Sequence, residues 1–291
     1  MLNEEDLKGI FVPVVTPFLP NGGLDLASYQ NYLGKLLEHN IQGLVINGTT
    51  GESPTVSWEE VASLVKATKK SMPGSSIPVI IGTGTNDTAS TVKRTEMAGR
   101  LGADAVLVVV PYYSRPSQEG IIEHFRRAAQ VGVPVIAYEI PSRTGVRLTA
   151  DTTRRIMELD GVIGLKDSSG SIGLISELTR FDCKPVLCGE DILFHAMLAA
   201  GASGGILAAA NVETDAFINV FRLADKDRFV DAKKAFDQLL PLIQLLFQES
   251  NPAPLKWLLA RKNWIAHDTV RLPMAPITYE LKLSLERWLN S

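Results

Sequence analysis

Cysteine, histidine and aromatic side chains are all scarce in this chain: 291 residues contain two cysteines, four histidines and only 7% aromatics. Cys183 and Cys188 have neither metal-ligand spacing nor the pattern of a disulfide framework, which suits a reducing compartment. No His-Glu-x-x-His, no Cys/His pair at ligand spacing and no carboxylate cluster points to a metal. His39, His124, His195 and His267 fall in or beside helix-like segments and read as packing or surface residues. A net charge of −3 without a basic block excludes the electrostatic footprint of a nucleic-acid binder. No apolar run reaches the roughly 18 residues of a membrane span. The opening MLNEEDLKGIFVPVVTPF is acidic and then strand-like, unlike a signal or transit peptide. A cytoplasmic protein with neither membrane nor nucleic-acid partners is expected.

What the chain does have is rhythm. Short β-branched runs predict strands at 11–16, 43–47, 77–82, 105–110, 134–139, 162–166, 185–189 and 204–208, with amphipathic helical stretches between them. The runs are apolar throughout rather than alternating, as when both faces of a parallel sheet are covered. Ser57 and Glu60 have capping-box spacing ahead of one helix. Eight such units predict an α/β fold, a (β/α)8 TIM barrel, over residues 1–224. A doubly wound sheet is the alternative, but no switch-point fingerprint accompanies it; GTGTND (82–87) lacks the third glycine. Residues 225–291 read as a helical extension, continuing the helical segments 212–224, 226–248, 253–262 and 278–290.

Barrel chemistry gathers where strands end, and there one residue is out of character. Val162-Ile163-Gly164-Leu165 runs straight into Lys166. A lysine at a strand end commonly snorkels its head to water. The other reading is a Schiff-base lysine, because low dielectric favours the free, nucleophilic amine. The loops around it bear on the choice. GTTGES (48–53) offers backbone N–H groups and the Thr49 and Thr50 hydroxyls to a carboxylate; an ordinary glycine-rich turn would look similar. Tyr138 ends a strand where a phenol can relay protons, or simply be amphipathic packing. Arg143, in PSRTG, offers a bidentate fork to a carboxylate, or a solvated loop arginine. Tyr112 and Tyr113 suit a site, a subunit contact or core packing. A phosphate cradle at 201–205 has no support beyond its place in the barrel.

GTTGES, PYYSRPSQEG, YEIPSRTG, GLKDSSG, SNPAPLKW and RLPMAPIT, in that order across nearly the whole chain, resemble the dihydrodipicolinate synthases. These belong to the pyruvate-dependent class I aldolase superfamily, which also holds N-acetylneuraminate lyase. The resemblance implies that Lys166 forms an imine with pyruvate, and that the derived enamine adds to aspartate semialdehyde to give 4-hydroxy-tetrahydrodipicolinate, in lysine and diaminopimelate biosynthesis. It implies a proton relay of Tyr138, Thr49 and Tyr113, with Tyr113 supplied by a neighbouring subunit of a homodimer or homotetramer. Thr50 would hold the pyruvate carboxylate, Arg143 that of the second substrate, and the backbones of Gly189 and Ile206 would line the pyruvate pocket. No cofactor and no metal are implied.

Two departures from the family pattern stand out. Glu139 occupies a position where relatives commonly carry asparagine. Ser90, Trp58 and Val61 replace the carboxylate and histidines of the lysine-effector cleft, although Asn86 and Tyr112 remain, so lysine feedback is expected to be weak or absent. Two other functions fit the same barrel: a paralogous aldolase or dehydratase for a keto-deoxy sugar acid or 4-hydroxy-2-oxoglutarate, and a non-catalytic small-molecule binder.

Overall fold

The computed structural model describes residues 1–290. All eight expected strands are present: β1 (Gly9–Pro13), β2 (Gly43–Ile46), β3 (Val79–Gly82), β4 (Ala105–Val109), β5 (Val135–Glu139), β6 (Val162–Asp167), β7 (Val186–Cys188) and β8 (Gly204–Ile206). They hydrogen-bond in sequence order, and β8 returns to β1 to close a barrel. The recorded pairings are parallel, as helix-linked crossovers require. The barrel assignment therefore holds, and the doubly wound sheet does not. β1 begins two residues ahead of its expected start because Gly9 and Ile10 already pair with Gly204 and Gly205.

Residues fall into two compact units. The first holds Met1–Phe11, Gln42–Val45 and Pro78–Leu207, hence nearly all of the barrel; the second holds Val12–Ile41, Ile46–Ile77 and Ala208 onward. In the first, Leu7, Phe11, Val45, Ile80, Leu107, Ile136, Tyr138, Leu187 and Ile206 pack into one core cluster. Strands are buried almost end to end, which explains their unbroken apolar sequence.

In the second, helix Leu26–Leu36 packs on helix Trp58–Ser71. The Ser57 capping box forms as its spacing predicts: Glu60 N–H donates to Ser57 Oγ at 3.3 Å, and Ser57 N–H to Glu60 Oε2 at 2.9 Å. One expectation needs correcting. The segment 226–248 is not continuous but two helices, Phe229–Asp237 and Leu240–Leu246. Pro241 lacks the N–H and the clearance to lie inside a helix, and is tolerated in the first turn of a new one. Helices Ala253–Arg261 and Tyr279–Leu289 follow. No helix among the described residues is long and apolar enough to cross a membrane.

Barrel closure leaves no room at the β8–β1 seam. A Cβ on Gly204 would lie 2.0 Å from the Gly9 carbonyl oxygen and 2.6 Å from its nitrogen, so backbone rather than a flexible side chain blocks it. Gly204→Ala is expected to cost about 3 kcal/mol or more, read as a lowered urea midpoint; a midpoint within error of the parent would show that the seam can relax.

Candidate active site

In the first unit the site is built from adjacent strands. Tyr138 on β5 pairs in register with Lys166 on β6. The pairing carries a bulge: Val135 faces Val162, but Ile136 faces Gly164, leaving Ile163 as the extra residue. Residues three apart on an unbroken strand point to opposite faces. The bulge lets Ile163 join the core cluster with Ile136 and Tyr138 while Lys166 still turns toward Tyr138. Lys166 is only 6% exposed, and its Nζ lies 4.2 Å from the Tyr138 ring centroid.

Gly189, just past β7, gives that lysine its space. A Cβ there would stand 2.7 Å from Lys166 Cε and 2.2 Å from Ser168 Oγ. Its N–H donates to the Asp167 carbonyl at 2.8 Å, so the bare Cα is held against the lysine stem. Ser168 Oγ, buried beside it, meets no protein hydrogen-bond partner. Ser168 was not singled out in the sequence, and only its spacing of two from Lys166 on an extended chain signals it. Ile206 ends β8 fully buried in the cluster that contains Tyr138.

Arg143 is exposed on a helical turn, Pro141–Thr144, directly after β5. Thr144 Oγ1 closes the turn by donating to the Ile140 and Val146 carbonyls at 3.1 and 2.9 Å. Both Arg143 and Lys166 act electrostatically on Glu190: burial and then Asp191 push its carboxyl up, and these two cations pull it down. Tyr113 differs from the rest. It holds a left-handed backbone (φ 71°) after β4, and its side chain is 90% exposed. Within this chain it is not packed with Tyr138.

In the second unit, β2 leads into the GTTGES loop. Thr49 is half-buried; Thr50 is buried, with Oγ1 accepting from Asn251 Nδ2 at 3.0 Å. Gly51 sits 3.2–3.3 Å, at its virtual Cβ, from the Asn47 backbone and the Val14 carbonyl, so a side chain would not fit without movement. Thr16 Oγ1 donates to the Gly51 carbonyl at 2.7 Å. Glu52, buried and left-handed (φ 57°), accepts from Lys256 Nζ at 2.6 Å and from the Arg271 N–H at 3.0 Å. Among the described residues no group of three or more His, Cys, Asp or Glu could hold a metal ion.

Comparison with known proteins agrees with this architecture. Residues 6–291 match the dihydrodipicolinate synthetase family. The chain is 36% identical over 286 residues to 4-hydroxy-tetrahydrodipicolinate synthase 2 of Clostridium acetobutylicum, covering 97% of this chain and 99% of that one. The crystal structure of dihydrodipicolinate synthase from Thermotoga maritima superposes with a TM-score of 0.94 at 34% identity, covering 98% of both chains. The chloride-inhibited dihydrodipicolinate synthase from Acinetobacter baumannii, complexed with pyruvate, gives 0.93 at 34% identity, again covering 98% of both.

Behind the Tyr138–Lys166 pair lies a second one. Glu139 and Asp167, next along their strands and in register, are both buried. Glu139 Oε1 accepts from the Leu148 N–H at 2.9 Å and Asp167 Oδ1 from the Ser169 N–H at 2.8 Å; the second oxygen of each accepts nothing from the protein. Burial raises both carboxyls, Glu139 to about 7, with Asp167 adding to the rise and the Leu148 N–H and Arg147 opposing it. A carboxyl raised on folding binds more protons folded than unfolded, so its stabilising proton is lost as pH climbs from 4.5 toward 7. Glu139→Gln is therefore expected to gain on the order of 1–3 kcal/mol over the parent above pH 7 and almost nothing near pH 4. Urea unfolding at both pH values checks this; a pH-independent difference would mean Glu139 does not titrate in that window.

Proposed function

The chain belongs to the dihydrodipicolinate synthetase family, and we propose that it condenses pyruvate with L-aspartate 4-semialdehyde to 4-hydroxy-tetrahydrodipicolinate, with Lys166 as the imine-forming amine. The observation that carries this reading is the buried Lys166, its amine over the Tyr138 ring and its stem against the bare Cα of Gly189. A snorkelling lysine would be exposed; this one is not. A pure binder has no use for a sequestered primary amine, and the relatives named as 4-hydroxy-tetrahydrodipicolinate synthases match over nearly the full chain.

The chemistry follows from the amine. Lys166 Nζ adds to the pyruvate ketone, and loss of water gives an imine. The imine draws electrons from the neighbouring methyl, whose proton leaves to form an enamine. The enamine carbon bonds to the semialdehyde carbon, and the aldehyde oxygen takes a proton to become the 4-hydroxyl. The amino group of the second substrate then displaces Lys166 from the imine carbon, closing the ring and returning the free lysine. Protons move in each step, and the assigned carriers are Tyr138, Thr49 and Tyr113. Thr50 and the neighbouring backbone take the pyruvate carboxylate, and Arg143 that of the semialdehyde. Gly189 and Ile206 present backbone to the bound pyruvate.

The exposure of Tyr113 in a left-handed turn supports the homodimer or homotetramer reading, in which this phenol serves a neighbouring copy. A cytoplasmic location fits a biosynthetic enzyme. Val61, at one effector-cleft position, is fully buried and apolar, and Ser90 spends its N–H on capping with Asp87; neither offers a carboxylate to a lysine ammonium.

Borohydride reduction in the presence of pyruvate is expected to label Lys166, and Lys166→Ala to abolish both labelling and turnover; an unlabelled but folded parent protein would overturn the assignment. Gly189→Ala should cut labelling by about a hundredfold by displacing the lysine stem, with unchanged circular dichroism. Arg143→Ala should lower kcat/KM for aspartate semialdehyde by about a hundredfold or more while leaving pyruvate labelling intact. Faster turnover of sugar-acid aldehydes than of the semialdehyde would favour the paralogous reading. Free lysine at millimolar concentration is expected to leave the rate nearly unchanged; strong inhibition there would contradict the altered cleft.

A further inference from the structure

Two of the sequence motifs, SNPAPLKW and RLPMAPIT, supply none of the residues assigned to the chemistry above, yet each sends a residue to the same carboxylate. Lys256 of the first donates to Glu52 Oε1 at 2.6 Å, and the backbone N–H of Arg271 in the second donates to Glu52 Oε2 at 3.0 Å. Glu52 is the fifth residue of GTTGES. Its own N–H donates to the Thr49 carbonyl at 3.1 Å, and its carbonyl accepts from the N–H of Thr55 at 2.9 Å. Both charged side chains are buried, Lys256 completely. Phe18 lies under both cations, 4.2 Å from Lys256 Nζ and 4.0 Å from the Arg271 guanidinium. Arg271 in turn grips Glu60 through both terminal nitrogens and donates to the Gly22 and Thr55 carbonyls.

We propose that Lys256 is a positioning residue for catalysis: through its buried bond to Glu52 it locks the 48–52 loop in the conformation that presents Thr49 and Thr50. The inference rests on the reading of that loop as the substrate-carboxylate site. Three observations converge. Glu52 holds a left-handed backbone, which a residue with a Cβ keeps only when its surroundings over-determine it. Two cations face two carboxylates, so the cluster adds little field of its own for an anion and acts through geometry. A buried ion pair also stabilises little compared with an apolar replacement, whereas breaking it by removing one partner is costly. Its use here is to fix one arrangement beside groups whose placement within about 1 Å decides the rate.

The test separates positioning from stability. Lys256→Met strands the Glu52 charge, so the second variant is Lys256→Met/Glu52→Gln, which removes both charges and is expected to melt within a few degrees of the parent. In that double variant the pyruvate concentration giving half-maximal borohydride labelling should rise about tenfold or more, and amide exchange at residues 48–52 should quicken about tenfold, with barrel strands unchanged. In the parent protein the Gly51 and Glu52 amides should exchange as slowly as those of β5. A double variant with parental half-saturation, or loop exchange unaltered by the substitutions, overturns the proposal. So does fast exchange of Gly51 and Glu52 in the parent, a readout that needs no folded variant. A parent that is not labelled by pyruvate sinks the synthase reading instead, and the exchange comparison still decides whether the pair holds the loop.

Discussion

The parallel pairing of β5 with β6 is the constraint from which the rest of the candidate site follows. It sets Tyr138 opposite Lys166 and, one step on, Glu139 opposite Asp167. Because successive residues on a strand face opposite ways, one ladder builds two layers. The inner layer carries the amine and the phenol ring; the outer carries two buried carboxyls. The bulge at Ile163 keeps the phase correct, so the strand supplies an apolar residue to the core and still delivers the lysine to the same side. Gly189 completes the arrangement by being nothing at all where a methyl would collide with the lysine stem.

Around that ladder the protein spends polar groups in two ways. The inner layer keeps Ser168 Oγ without a protein partner close to the lysine stem, a buried hydroxyl ready for a hydrogen bond from outside the chain. The second unit does the opposite: Glu52, Lys256, Arg271 and Glu60 satisfy one another closely, and Thr50 is engaged by Asn251. Glu139 and Asp167 fall between these cases. Each has one bonded and one unbonded oxygen, and burial pushes both carboxyls up, Glu139 to about 7.

Much of this was legible along the chain. Eight strands and their helices appear in the spacing of apolar runs, because burial on both faces forces continuous β-branched sequence. Lys166 and Tyr138 stand out as candidates because each is a polar side chain at the end of an apolar run, and Arg143 because it lies in the loop that follows one. Ser57 and Glu60 declare a capping box locally. The helix break before Leu240 is hidden by helical periodicity that runs through it, although Pro241 is its local signal.

The order of elements and the barrel closure they imply were thus determined by the sequence itself, since both depend on periodicity. What only the tertiary structure decided are relations between residues distant along the chain. Glu52 meets Lys256 some two hundred positions away, Gly189 makes room for Lys166, and one bulged residue sets the phase of β6. Periodicity reports which face a residue occupies, but contact, register and clearance depend on where the other segments come to rest. No local pattern encodes that.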